Sequence, residues 1–174
     1  LELAVKRPQS LAGKTAIVTA GPTVEPIDSV RFIANHSSGK QGYAIAAALA
    51  VRGASVTLIS GPVTLPAPEG VNCVAIQTAV QMQAAVNAAL PADIAICAAA
   101  VADWRVAEAG HAKLKKPNHR NAASIQLTLV ENPDILASLG QSDKRPSLLI
   151  GFAAETEDVL ENAAAKRRCK QCDW

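Results

Sequence analysis

Aromatic side chains are scarce in this sequence: among 174 residues there are two Trp, two Phe and a single Tyr. Nucleic-acid binding by base stacking needs aromatics interleaved with a basic face, and a net charge of +2 does not supply that face either. No apolar run reaches the roughly 18 residues of a membrane span, so neither a nucleic acid nor a membrane is an expected partner. Residues 1–9 carry charges without a long apolar stretch behind them, so no secretory signal is expected. The four cysteines do not form a disulfide framework. Cys73 and Cys97 fall in strand-like runs, where buried free thiols are the ordinary outcome, and the Cys169/Cys172 pair has no second C-x-x-C to complete a zinc site. A cytoplasmic location follows from that usage. A Ser/His/Asp or Cys/His catalytic constellation is also missing.

What the chain does have is Ala, Val, Ile and Leu in short runs. Hydrophobic residues make up 49% of the sequence, enough for one domain with a sizeable core. Strands are expected at 15–20, 54–60, 71–76, 93–100, 124–130 and 147–153. Helices are expected at 43–52, closed by Gly53, and from Thr78, with a core face of Met82, Ala85, Val86 and Ala89. A third helix is expected to open at Asn132-Pro133-Asp134, with Asn132 as cap, and a fourth at Thr156. Residues 23–40 and 104–120 read as long irregular loops, the second of them basic through Lys113, Lys115, Lys116 and Arg120. Strand–helix alternation of this kind predicts an α/β fold, a Rossmann-like doubly wound and mainly parallel sheet in a three-layer αβα sandwich. Ligands of such sheets bind beyond the carboxyl ends of the strands, here residues 20–23, 98–103 and 152–155.

One stretch organises the rest: Val30-Arg31-Phe32-Ile33-Ala34-Asn35-His36-Ser37-Ser38-Gly39-Lys40-Gln41-Gly42. A helix start presents unpaired N–H groups and partial positive charge, so Ser37, Ser38 and Gly39 form a candidate phosphate cradle. It is not a P-loop, because Ala34 stands at the first Gly and Gln41 at the Ser/Thr position. It is not a dinucleotide fingerprint either, because Thr23 stands where the second Gly should follow Gly21 and Gly39 comes far too late. An NAD-type dehydrogenase is thereby disfavoured. Lys113-Leu114-Lys115-Lys116 offers ammonium groups suited to a polyphosphate.

These segments occur in one order with Ala20-Gly21-Pro22-Thr23, Ala99-Ala100-Val101-Ala102-Asp103, Asn132-Pro133-Asp134-Ile135 and Gly151-Phe152-Ala153-Ala154-Glu155-Thr156. Together they resemble the phosphopantothenate–cysteine ligase domain of coenzyme A biosynthesis, over essentially residues 13–170. The resemblance implies ligation of 4′-phosphopantothenate to L-cysteine through an acyl-cytidylate, with CTP as co-substrate and Mg²⁺ as cofactor. It implies that Asn35 serves the second step and Lys113 the first. It also implies that Cys97, Ala98, Ala99, Asp103, Lys113, Pro133, Asp134, Ile135, Leu136, Phe152, Lys166 and Lys170 bind nucleotide, beside the cradle at Ser37, Ser38 and Gly39. The resemblance names no Mg²⁺ ligands.

The resemblance further implies a homodimer and an N-terminally fused flavin-dependent decarboxylase. That partner lies outside this sequence, so no FMN is expected on this chain. Family domains continue past the basic cluster with another strand. Residues 1–174 are therefore expected to be a single ligase domain, C-terminally truncated, and a non-catalytic nucleotide-binding module is the alternative.

Overall fold

A computed structural model describes residues 9–115 and 124–174. In chain order its elements are β1 (Thr15–Ala20), β2 (Val24–Pro26), β3 (Phe32–Ala34), α1 (Lys40–Val51), β4 (Ser55–Ser60), β5 (Val71–Ala75), α2 (Ala79–Ala88), β6 (Ile94–Cys97), β7 (Trp104–Val106), β8 (Leu129–Glu131), α3 (Ile135–Gly140), β9 (Leu148–Gly151) and α4 (Val159–Lys170). Five of the strands form one sheet in the order β5-β4-β1-β6-β9, and every neighbouring pair in it is parallel. This is the α/β Rossmann-like fold expected from the alternation of short apolar strands and helices.

The sheet is buried on both faces, which is why its strands read as apolar runs rather than as alternating ones. On one face Val18, Val56, Leu58 and Ile96 pack beneath α1, against Ala46 and the half-buried Ile45 and Leu49. On the other, Ile17, Ile59, Ala95 and Leu149 meet Met82 and Val86 of α2 and Ile135 and Leu139 of α3. The capping box predicted at Thr78 is present: its hydroxyl accepts from the Gln81 N–H and the Gln81 side chain answers at the Thr78 N–H. At the opposite edge from the site, Lys14 and Thr15 donate to the Asp93 carboxylate and lower its pKa to about 2.

The departures from the sequence reading are informative. The stretch predicted as a loop at 23–40 folds into the antiparallel hairpin β2–β3, and the loop predicted at 104–120 begins with β7, which pairs antiparallel with β8. Both ribbons have three-residue strands, too short for a period-2 pattern to stand out. The strand predicted at 124–130 is only Leu129–Glu131. Asn132 does not cap α3; Asp134 does, its carboxylate accepting from the Ala137 N–H. Thr156 does not cap α4, whose first turn is preceded instead by Asp158 with no side-chain cap. Cys73 is exposed rather than buried. Lys116 and Arg120, part of the basic stretch, lie outside the described residues.

Candidate active site at the carboxyl edge of the sheet

Strand order reverses at β1: the chain runs outward through β4 and β5, then returns to β6 on the other side. Such a switch point leaves a crevice beyond the strand ends. Here the crevice is walled by two extended turns locked together. The Ala98 N–H donates to the Thr19 carbonyl, and the Ala100 N–H to the Gly21 carbonyl. Thr23, fully buried, donates its N–H to the Ala100 carbonyl and accepts from the Ala102 N–H at 3.0 Å. Asn132 fixes the far end of the same loop. Its side-chain amide donates to the Ala102 carbonyl at 2.8 Å, and its N–H donates to the Asp103 carbonyl. The role left vacant by Asn132 as a cap is thus filled by holding the 99–103 loop.

A cavity of about 370 Å³ opens between that loop and α3. Cys97, Ala99, Asp103, Pro133, Asp134, Ile135, Leu136, Phe152 and Lys170 line it, so most of the predicted nucleotide-binding residues are brought together. Ala98, Lys113 and Lys166 are not among its lining residues. Lys166 instead pairs with Glu155 at 2.5 Å. Lys170 reaches Asp134 at 3.1 Å, placing one cation on the cavity wall. Thr19 and Trp104 also line the cavity, and sequence reasoning missed both. Thr19 was hidden inside an apolar strand, and Trp104 stood in a segment without periodicity.

The Cys97 thiol is pushed up to about 12, first by burial and then by the neighbouring Cys172 and Asp134, with Lys170 and the Thr19 hydroxyl opposing. A thiol held protonated is neither nucleophile nor metal ligand, so Cys97 serves as an apolar wall. All four cysteines are free. An unperturbed thiol ionises near 9.0, so the stability contributed by this raised value is complete below pH 9 and is lost as the pH climbs from 9 towards 12. The fall in thermal midpoint above pH 9 is therefore expected to be shallower in Cys97→Ala than in the native sequence. At pH 8, iodoacetamide is expected to label the exposed Cys169 well before Cys97; equal labelling would contradict this placement.

The predicted cradle lies on the other side of β1. Gly39 precedes α1 with φ of 73°, and no side chain caps that helix. The Ser37 hydroxyl accepts from the Gly39 N–H at 3.3 Å. The left-handed conformation suits glycine, and a Cβ here would stand 3.0 Å from Val63 and 3.5 Å from the Gly21 backbone. Ser37, Ser38 and Gly39 therefore sit where the turn after β1 meets the start of α1, although they do not line the cavity itself. Asn35 links the two regions. Its side-chain amide donates to the carbonyl of Val101 at 3.0 Å, and Val101 lines the cavity.

Residues 11–174 match the family described as DNA/pantothenate metabolism flavoprotein C-terminal domain. The chain belongs to that family. It is 51% identical over 159 residues to the Coenzyme A biosynthesis bifunctional protein CoaBC of Escherichia coli, covering 90% of this chain and 39% of that protein. Its identity to the same-named protein of Vibrio vulnificus is 48% over 168 residues, 96% of this chain and 41% of that one. The chain thus spans about two fifths of the length of these curated relatives. The crystal structure of the C-terminal domain of a Coenzyme A biosynthesis bifunctional protein CoaBC superposes with a TM-score of 0.81 at 42% identity, over 95% of this chain and 76% of that one. Family membership and the shared fold agree with the resemblance drawn from the ordered motifs. Among the described residues, no helix is long and apolar enough to cross a membrane.

Proposed function

We propose that this domain joins 4′-phosphopantothenate to L-cysteine at the expense of CTP, in coenzyme A biosynthesis. A carboxylate oxygen of the acid attacks the α-phosphorus of CTP, the bond to pyrophosphate breaks, and an acyl-cytidylate remains. The cysteine amine then attacks the acyl carbon, CMP leaves with the bonding electron pair, and the amine gives up a proton to form the amide. The observation that carries this reading is the Asn35 amide docked on Val101 at 3.0 Å. It ties the 35–42 segment, with its helix start, to the wall of the cavity. That link supports adjoining places for phosphate, acyl group and nucleotide.

Each side chain has a task in this scheme. Ser37, Ser38 and Gly39 hold phosphate at the start of α1. Cys97, Ala99, Pro133, Ile135, Leu136 and Phe152 enclose the nucleoside, Ala98 carries the backbone between two of them, and Asp103 and Asp134 offer it acceptors. Lys113 supplies charge to the triphosphate in the first step, with Lys166 and Lys170 as further cations. Asn35 donates to the acyl oxygen in the second step, where negative charge develops.

Among the described residues no group of three or more His, Cys, Asp or Glu could hold a metal alone. Mg²⁺ needs no such group, being commonly carried by phosphates and met by one or two carboxylates. Glu131 on the cavity wall would meet it, and when bound it would neutralise charge on the phosphates.

A homodimer is part of the proposal, with the exposed Val30 and Phe32 of the β2–β3 hairpin as apolar side chains it could cover. The decarboxylase half is assigned to the part of the bifunctional relatives beyond the match. The cytoplasm is the proposed compartment, and the free thiols are compatible with it.

Thermal shift tests the ligand class. At a hundredfold excess over its Kd, a ligand stabilises by about 2.7 kcal/mol, roughly 5–11 °C for a domain of this size. CTP with Mg²⁺ is expected to produce such a shift and NAD none. An NAD shift exceeding that of CTP would overturn the reading.

A further inference from the structure

The turn of the β2–β3 hairpin contains a carboxylate that is entirely shielded from solvent, that of Asp28. Burying a carboxylate is costly unless every lone pair is met, and here five donors converge on it. The Val30 and Arg31 N–H groups donate to Oδ1, both at 2.8 Å. The Arg31 guanidinium donates to Oδ2 through Nε at 3.0 Å and Nη2 at 2.5 Å. The fifth donor comes from far along the chain: the Leu114 N–H, 3.0 Å from Oδ2. The same Arg31 Nη2 also donates to the Leu114 carbonyl at 2.9 Å, and four residues earlier the Gly110 N–H donates to the Ile27 carbonyl at 2.9 Å.

The first four bonds account for a tight turn and would suffice for one. The contacts to Leu114 do not shape the hairpin at all. They grip one residue of a distant loop by both of its backbone groups, and that residue directly follows Lys113. The hairpin that makes this grip leads, immediately after β3, into Asn35. One ribbon therefore carries Asn35 and holds the neighbour of Lys113, the two residues assigned to successive steps.

We infer that Asp28 is a positioning residue for Lys113: with Arg31 it clasps Leu114 and so fixes the base of the lysine loop against the hairpin that bears Asn35. This inference rests on the activation role given to Lys113 above. Anchoring the backbone beside a long, flexible side chain reduces the space its ammonium must search, which is where misplacement by an ångström is expensive. Asp28 itself touches no reacting atom in this account.

The test uses the natural polypeptide that carries this sequence, with CTP, Mg²⁺ and 4′-phosphopantothenate but no cysteine, following pyrophosphate in a single turnover. Asp28→Asn keeps an acceptor for the turn but loses the charge that holds the guanidinium. It is expected to slow pyrophosphate release about ten- to hundredfold and to speed hydrogen exchange at the Leu114 amide. Leu114→Pro removes the clasped N–H without touching the carboxylate, and is expected to slow the same step. In a Lys113→Gln background, Asp28→Asn should add less than about a twofold loss, because the residue it positions is already gone. A fully additive loss would mean a general structural role and would overturn the inference. So would native-speed release in both Asp28→Asn and Leu114→Pro while Lys113→Gln is slow. If Lys113→Gln releases pyrophosphate at the native rate, the activation role of Lys113 falls, and the positioning role falls with it.

Discussion

Asn35→Asp is expected to release pyrophosphate from CTP and 4′-phosphopantothenate at close to the native rate, yet to form the cysteine adduct about 10²–10³-fold more slowly. The amide nitrogen is the donor in the pair with the Val101 carbonyl. A carboxylate there presents oxygen to oxygen, so the contact that seats the side chain becomes repulsive. It also places negative charge where the acyl oxygen must gain it. Activation of the acid needs neither property, so the defect should fall on the second step and acyl-cytidylate should accumulate. Quenched-flow separation of nucleotide species, with and without cysteine, reads both steps. Normal product formation would remove Asn35 from the mechanism.

The second large effect is on folding. Gly61, just past β4, donates its N–H to the Ala20 carbonyl at 3.0 Å and crosses so close to the turn after β1 that a Cβ would lie 1.6 Å from the Pro22 carbonyl oxygen and 2.7 Å from its carbon. Both obstacles are backbone, so Gly61→Ala cannot be absorbed by a rotamer change. One of the two turns must move. Overpacking of this kind costs about 3 kcal/mol or more, which for a domain of this size lowers the thermal midpoint by roughly 10 °C. Because the turn displaced is the one that leads to Thr23 and the 99–103 loop, nucleotide binding should weaken as well. Chemical denaturation measures the first effect and calorimetric titration with CTP the second. A variant with native stability would show that the two turns do not cross as described.

The parallel sheet could be read from the sequence because its strands are buried on both faces and two helix ends carry strong signals, Thr78 with Gln81 before α2 and Gly53 after α1. Part of the cavity could be read too, since fold rules put ligands beyond the strand ends, and of the three ends named, 98–103 and 152–155 contribute to its lining while 20–23 does not. What stayed hidden was set by distant partners. Nothing local says that Asn132 will face Ala102 rather than cap a helix, or that Asp28 will reach Leu114. The short ribbons β2–β3 and β7–β8 were equally obscure, because three residues carry no usable periodicity and their pairing is decided by packing against each other. The pair of Lys166 with Glu155 was equally unreadable, because it joins α4 to the segment that follows β9.

The most direct test of the proposed chemistry supplies the natural polypeptide with CTP, Mg²⁺, 4′-phosphopantothenate and L-cysteine and follows pyrophosphate, CMP and amide product together. CTP-dependent ligation predicts one pyrophosphate and one CMP for each 4′-phosphopantothenoylcysteine, with the acyl-cytidylate trapped when cysteine is withheld. CTP binding without pyrophosphate release would contradict the account and leave a nucleotide-binding module in its place.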